Sequence, residues 1–157
     1  KRISWPLGLN GGFQGSLTAR DMTAFVARVY GFRGKKLKEK IHFVQEFAEI
    51  GKFFDEPMAN YSAGMRSRIG FGLSMAFDFD YYLIDEAGAV GDPAFAKKSK
   101  KLYEEKLAKS NVIMVSHNVD EIKQWCDKIV LLRDGNVDVF DDVDEGIAAY
   151  QGTMNEK

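Results

Sequence analysis

The chain has 157 residues, the length of one ordinary domain, which excludes an enzyme with separate cofactor and substrate lobes. Its 45% hydrophobic and 29% charged residues are globular values, and an aromatic share of 13%, with twelve Phe and six Tyr, excludes disorder. Twenty-two Lys and Arg against twenty-three Asp and Glu leave a net charge of −1, which excludes the global basic field of a nucleic-acid binder and an acidic tail.

The opening segment, residues 1–14, is Gly-rich, carries Pro6 and reads as a loop or short strand. Thr18 followed by Asp21 resembles a capping box, and Met22, Phe25, Val26, Val29 and Tyr30 repeat at helical spacing as far as Gly31. After a polar, basic stretch over 32–36, Ile41, Val44, Phe47 and Ala48 mark the inner face of a second helix that stops near Gly51. Pro57 and Asn60 predict a turn, and Ser62 caps a third helix running through Ile69, Leu73 and Phe77. The period then changes. Residues 81–84 and 112–115 are short continuous apolar runs, the pattern of strands buried on both faces, and the helical composition of 94–109 between them predicts a right-handed crossover joining parallel strands. A helix over 119–126 follows. The turn Asp134-Gly135-Asn136 between 129–132 and 137–140 signals a hairpin, and 143–150 reads as a closing helix. The single Cys126 cannot form an internal disulfide and two His are few for a metal site, so the chain reads as cytosolic. No apolar run approaches the roughly 18–20 residues of a spanning helix.

Ligands of open parallel sheets bind beyond the carboxyl ends of the strands, which gathers Asp85, Glu86 and His117 into one candidate site. A carboxylate directly after an apolar strand suits Mg²⁺ held jointly by protein and phosphate, and a second carboxylate beside it can polarise an attacking water. His117 is placed to donate a hydrogen bond to a terminal phosphate. Singly, each of these is equally well read as a solvated strand end or a loop histidine. Ser62, Ala63 and Gly64 place a hydroxyl and a residue without Cβ at a helix N-terminus, where free N–H groups favour phosphate; a Ser there is also an ordinary structural cap. Order and spacing change the weight: a Ser-x-Gly helix, then a strand ending in two acids, then a crossover and a Ser-His strand end.

In that order the motifs resemble the second half of an ABC-transporter nucleotide-binding domain, an ATPase of the P-loop class. YSAGM at 61–65 resembles the signature motif, YYLIDE at 81–86 the Walker B strand, AVGD at 89–92 the D-loop and VSHN at 115–118 the H-loop. Within the family, residues 4–21 and 61–92 are most similar to the ATPases of capsular polysaccharide export. The resemblance covers nearly the whole chain. It implies an α/β fold with a Q-loop region over 1–17, a helical subdomain with the signature helix over 18–78, a parallel-sheet core and hairpin over 79–140, and a C-terminal helix and tail over 141–157. By the same resemblance, Asp85 holds Mg²⁺, Glu86 orients the attacking water and His117 contacts the γ-phosphate. Ser62, Ala63 and Gly64 reach ATP held by the opposite subunit of a homodimer, Asp92 couples the two sites, and Gln14 is the Q-loop candidate. The implied partners are a second ATPase subunit and a transmembrane permease, at the cytoplasmic face of the bacterial inner membrane, and no nucleic acid. The aromatic residues Phe25, Tyr30, Phe43, Phe47, Phe53 and Phe54 are candidates for a groove receiving the permease, with Phe25 and Phe47 more simply core and Phe53 and Phe54 the better interface candidates.

Two departures accompany the resemblance. Ala63 and Met65 replace the usual Gly and Gln of the signature, and no GxxxxGK[ST] occurs in the chain. The expectation is therefore that a strand–loop–helix unit of about 30 residues or more precedes Lys1, that the polypeptide alone is inactive, and that a sheet without that strand exposes Tyr82–Ile84. Export of O-antigen or teichoic acid, an ABC ATPase of DNA repair, and a non-catalytic regulatory module are the alternatives; a long heptad insertion would mark the second, and none is present. The basic residues Arg66, Arg68, Lys97, Lys98, Lys100 and Lys101 are read as solvated helix faces.

Overall fold

A computed structural model describes residues 1–5, 15–85 and 93–155. Helix α1, Ala19–Val29, starts as the sequence predicts: Thr18 Oγ1 accepts from Asp21 N at 3.0 Å and donates to the Asp21 carboxylate at 2.7 Å. Helix α2 spans Gly34–Ala48, so the polar, basic stretch ahead of Ile41 already enters its first turn at Lys35 and Lys36. Two short 3₁₀ turns, Gly51–Asp55 and Met58–Asn60, carry the chain to α3, Ala63–Met75, with Ser62 as N-cap. Phe77, expected on that helix, lies beyond its end and is buried. Strand β1, Tyr81–Asp85, crossover helix α4, Pro93–Leu107, and strand β2, Asn111–Val115, form the predicted parallel unit. Ile3 adds a single parallel bridge to Tyr81 on the other edge of β1. The remainder is α5, Val119–Trp125, the antiparallel pair β3, Ile129–Arg133, and β4, Asn136–Phe140, and α6, Val143–Asn155, which continues past the expected end. Asp134 and Gly135 both take positive φ, 48° and 79°, as a two-residue primed hairpin turn requires.

Aromatic rings gather into two groups. Trp5, Tyr30, Phe77 and Phe79 stack against one another at centroid distances of 5.4–6.3 Å, and Phe79 meets the buried Tyr82 ring edge-on at 5.4 Å. Trp5 Nε1 donates to Ser74 Oγ at 3.1 Å. A second group joins α2, α3 and α4 through Phe47, whose ring faces Phe71 at 5.8 Å and Phe95 at 5.3 Å. Rings that each cover a large apolar area thus bind the helices to the sheet.

Four expectations about burial are corrected. Phe25 is 59% exposed on α1, because Met22, Thr23, Ala24 and Ala27 face the core instead. Phe54 is fully buried under Arg20, whose guanidinium lies 5.3 Å from its ring, so it is core and not interface, while Phe53 is partly exposed. Strand β2 is not covered on both faces: Ile113 and Val115 are 58% and 62% exposed. Tyr82 and Ile84, expected to be uncovered, are buried in one cluster with Phe77 and Phe79, and Tyr82 Oη donates to Phe77 O at 3.0 Å.

Candidate functional site

The register pairs Asp85 with Val115, so Asp85 ends β1 where Ser116 and His117 leave β2, on neighbouring strands about 4.8 Å apart. Both Asp85 and His117 are exposed. The turn that presents His117 is held from both sides. Ser116 Oγ accepts from Asn118 N at 3.0 Å and donates to Glu121 Oε2 at 3.3 Å, and Asn118 Oδ1 caps α5 by accepting from Asp120 N at 3.1 Å and Glu121 N at 3.4 Å. The roles of Ser116 and Asn118 in holding His117 emerge only in the structure, although the Ser-x-Asn spacing before an amphipathic segment is the signal for such a cap.

The start of α3 is anchored equally firmly. Tyr61 is buried, donates from Oη to Phe53 O at 2.6 Å and accepts from Ala19 N at 3.3 Å; burial pushes its hydroxyl pKa up. Arg66 Nη1 donates to Tyr61 O at 2.6 Å, and Ser62 Oγ accepts from Met65 N at 3.2 Å. On this base Ser62, Ala63 and Gly64 stand exposed, with the N–H groups of a first helical turn that has no intrahelical acceptor for them. Gly64 has ordinary helical φ, and a Cβ built on it meets only Ser62 Oγ at 3.9 Å. Neither backbone nor packing within the chain therefore demands glycine there. What the missing Cβ leaves is open approach to the helix end, which is what a phosphate needs.

These two halves are on different parts of the molecule. The thirteen residues of α3 put about 20 Å of helix between Ser62 and the turn into β1. Among the described residues no three His, Cys, Asp or Glu side chains converge as a metal cluster. Gln14, Glu86 and Asp92 lie outside the described residues. A cleft of about 370 Å³ between Arg2, Asp78, Lys106 and Lys109 opens beside Asp80, at the amino end of β1, opposite the carboxyl ends where such sheets bind ligands. A groove of about 470 Å³ runs beside the first turns of α3, between Ile50, Lys52, Phe53 and Met65. The basic residues are drawn into internal contacts: Lys98 pairs with Glu49 at 2.5 Å and Lys100 with Glu104 at 3.9 Å. No helix among the described residues is long and apolar enough to cross a membrane.

The parallel pair joined by a crossover helix, the capped helix before it and the hairpin after it make the fold of an ABC-transporter ATP-binding subunit. A solved structure described as the ATP binding subunit of an ABC transporter superposes with a TM-score of 0.73 at 17% identity, covering 96% of this chain and 62% of that one. No family model matches. The polysialic acid transport ATP-binding protein KpsT of Escherichia coli is 51% identical over 96% of this chain and 67% of its own length. The capsule polysaccharide export ATP-binding protein CtrD of Neisseria meningitidis serogroup B is 43% identical over 94% of this chain and 67% of its own, and the teichoic acids export ATP-binding protein TagH of Staphylococcus haemolyticus is 35% identical over 92% and 55%. The chain spans about two thirds of the capsule-export relatives it matches. It belongs to the family of ABC ATP-binding proteins of capsule polysaccharide export.

Proposed function

We propose that the chain is the signature-bearing and Walker B part of an ATPase that drives export of a capsular polysaccharide, working as a homodimer on a transmembrane permease at the cytoplasmic face of the bacterial inner membrane. The observation that carries this reading is the pairing of Asp85 with Val115, which brings a carboxylate and His117 to the same edge of a parallel sheet, in a chain 51% identical to a polysialic acid transport ATP-binding protein.

Asp85 is the carboxylate for Mg²⁺, which fits because it is exposed, ends the strand and needs phosphate oxygens to complete the coordination. Bound to ATP, Mg²⁺ neutralises charge on the phosphates. Glu86 orients the water, Asp92 couples the two sites and Gln14 is the Q-loop residue. His117, fixed by the Ser116 and Asn118 hydrogen bonds, donates to the γ-phosphate. Ser62, Ala63 and Gly64, a helix length away from Asp85, serve the ATP of the opposite subunit, for which the open space at Gly64 is the supporting feature. The division into a Q-loop region, a helical subdomain over 18–78, a core over 79–140 and a C-terminal helix follows the same reading. The permease contact is assigned to the groove lined by Phe53 and Met65.

With no GxxxxGK[ST] in the sequence, the phosphate cradle and its lysine are missing from these 157 residues. The expected result at saturating Mg-ATP is no turnover by the 157-residue polypeptide. Turnover that Glu86→Gln abolishes would overturn that expectation and show that the phosphates are held in another way.

A further inference from the structure

One side chain outside the candidate site holds a backbone conformation that its residue type disfavours. Glu49, the C-cap of α2, sits in the left-handed region at φ 53° and ψ 42°, where Gly or Asn is the usual choice. Such outliers persist where the surroundings over-determine them. Here the surroundings are two cations from two other helices. Lys98 Nζ of α4 donates to Glu49 Oε1 at 2.5 Å and to Phe47 O at 3.2 Å. Arg68 Nη1 of α3 lies 3.9 Å from Glu49 Oε2 and donates to Ala48 O at 3.3 Å. Both cations also cover aromatic rings of this junction, Arg68 over Phe95 at 4.4 Å and Lys98 over Phe47 at 4.8 Å. Positive charge at a helix C-terminus is favourable in itself, and the two carbonyls left free at the end of α2 are used as acceptors.

The helices joined in this way are the two that matter for the site. α3 carries Ser62 and Gly64 at its start, with Arg68 six residues further on. α4 is the crossover between the strands that end in Asp85 and lead to His117. From this geometry we propose that Glu49 is a positioning residue: through Arg68 and Lys98 its carboxylate locks the signature helix to the crossover helix, so that the phosphate-facing start of α3 and the strand-end residues keep one relative orientation. Each of these ion pairs alone is a partly exposed contact of small effect. Their joint use of one strained residue is what makes Glu49 more than a helix cap. The importance of that orientation for turnover rests on the function proposed above, whereas the lock itself is read without nucleotide.

The test is amide hydrogen exchange on the 157-residue chain, comparing wild type with Glu49→Gly and Glu49→Gln. Glu49→Gly suits the left-handed backbone and deletes the carboxylate, so a fold that survives it is expected; Glu49→Gln keeps the shape and removes the charge. The expected result in both is exchange about two- to fivefold faster in α3 and α4 together, with β2, β3, β4 and α6 unchanged. Acceleration confined to the last turn of α2, acceleration in only one of α3 and α4, or a uniform rise over the whole chain would each overturn the proposal. Because no ATP is present, none of these outcomes bears on the function proposed for the site.

Discussion

Ser62 and Gly64 share one turn of α3 and differ in what the fold asks of them. The Ser62 hydroxyl satisfies the Met65 N–H, so Ser62→Ala is expected to cost about 1 kcal/mol, read as a lower urea midpoint at unchanged slope. At Gly64 the added methyl of Gly64→Ala meets open space, and alanine is the better helix former by at most about 1 kcal/mol, so the midpoint should stay or rise. If stability falls by as much as for Ser62→Ala, the glycine is structural and the argument for an open phosphate approach is lost. The same comparison separates the two residues at the level of sequence: a Ser at that place is explained locally by capping, whereas the Gly is not explained by anything inside the chain.

At the scale of elements, helices are tied across the chain by ion pairs at their ends. Arg20 holds Asp55 at 2.5 Å, joining α1 to the first 3₁₀ turn, and Lys106 of α4 pairs with Asp78 while donating to Phe77 O at 3.3 Å. The hydrogen bonds from Arg20 and Lys106 pull the Asp55 and Asp78 pKa values below the ordinary carboxylate range. Between folded and unfolded pKa values the unfolded chain therefore binds more protons. The stabilisation from these pairs is present above about pH 4 and is lost as pH falls through the depressed values. Thermal midpoints measured from pH 6 to pH 2 should decline more gently for Asp78→Asn than for wild type, starting from a lower value; parallel curves would deny the pair a role in acid stability. A steric tie links α6 to the hairpin. A Cβ at Gly146 would come within 2.7 Å of Ile129 Cβ, a backbone-proximal atom with little freedom to move. Gly146→Ala is thus expected to cost about 1–3 kcal/mol by overpacking, seen as a lower melting temperature, and an unchanged value would mean that α6 shifts freely on β3.

For the molecule as a whole, the apolar surface is unevenly distributed. The helices and β1 enclose a continuous core from Ala19 to Leu107, yet Ile113 and Val115 on β2 and Val130, Leu132, Val137 and Val139 on the hairpin face outward. Exposed apolar strands promote association between copies. Ile113→Lys and Leu132→Lys should each change stability by less than about 0.5 kcal/mol while lowering light scattering in concentrated solution. A large loss of stability in either would show that the residue is buried in solution. The sequence does not carry this whole-molecule pattern: the run 112–115 reads as apolar throughout, and continuous hydrophobicity does not say which face finds a cover.

Much of the fold and half of the candidate site could be read without coordinates because the signals are local. The Thr18 and Ser62 caps, the Asp134-Gly135 turn and the strand–helix–strand order depend on residues a few positions apart, and the sheet rule then sends Asp85 and His117 to one edge. The motif order also carried the family. What only the tertiary structure decided are the choices between equivalent local patterns: that Phe54 is buried and Phe25 is not, that β1 is covered and β2 half open, and that Glu49 meets Arg68 and Lys98 from helices 19 and 49 residues further along. Periodicity reports which residues share a helix face, but whether that face meets another element depends on packing among segments distant in sequence, and no local pattern contains that distance.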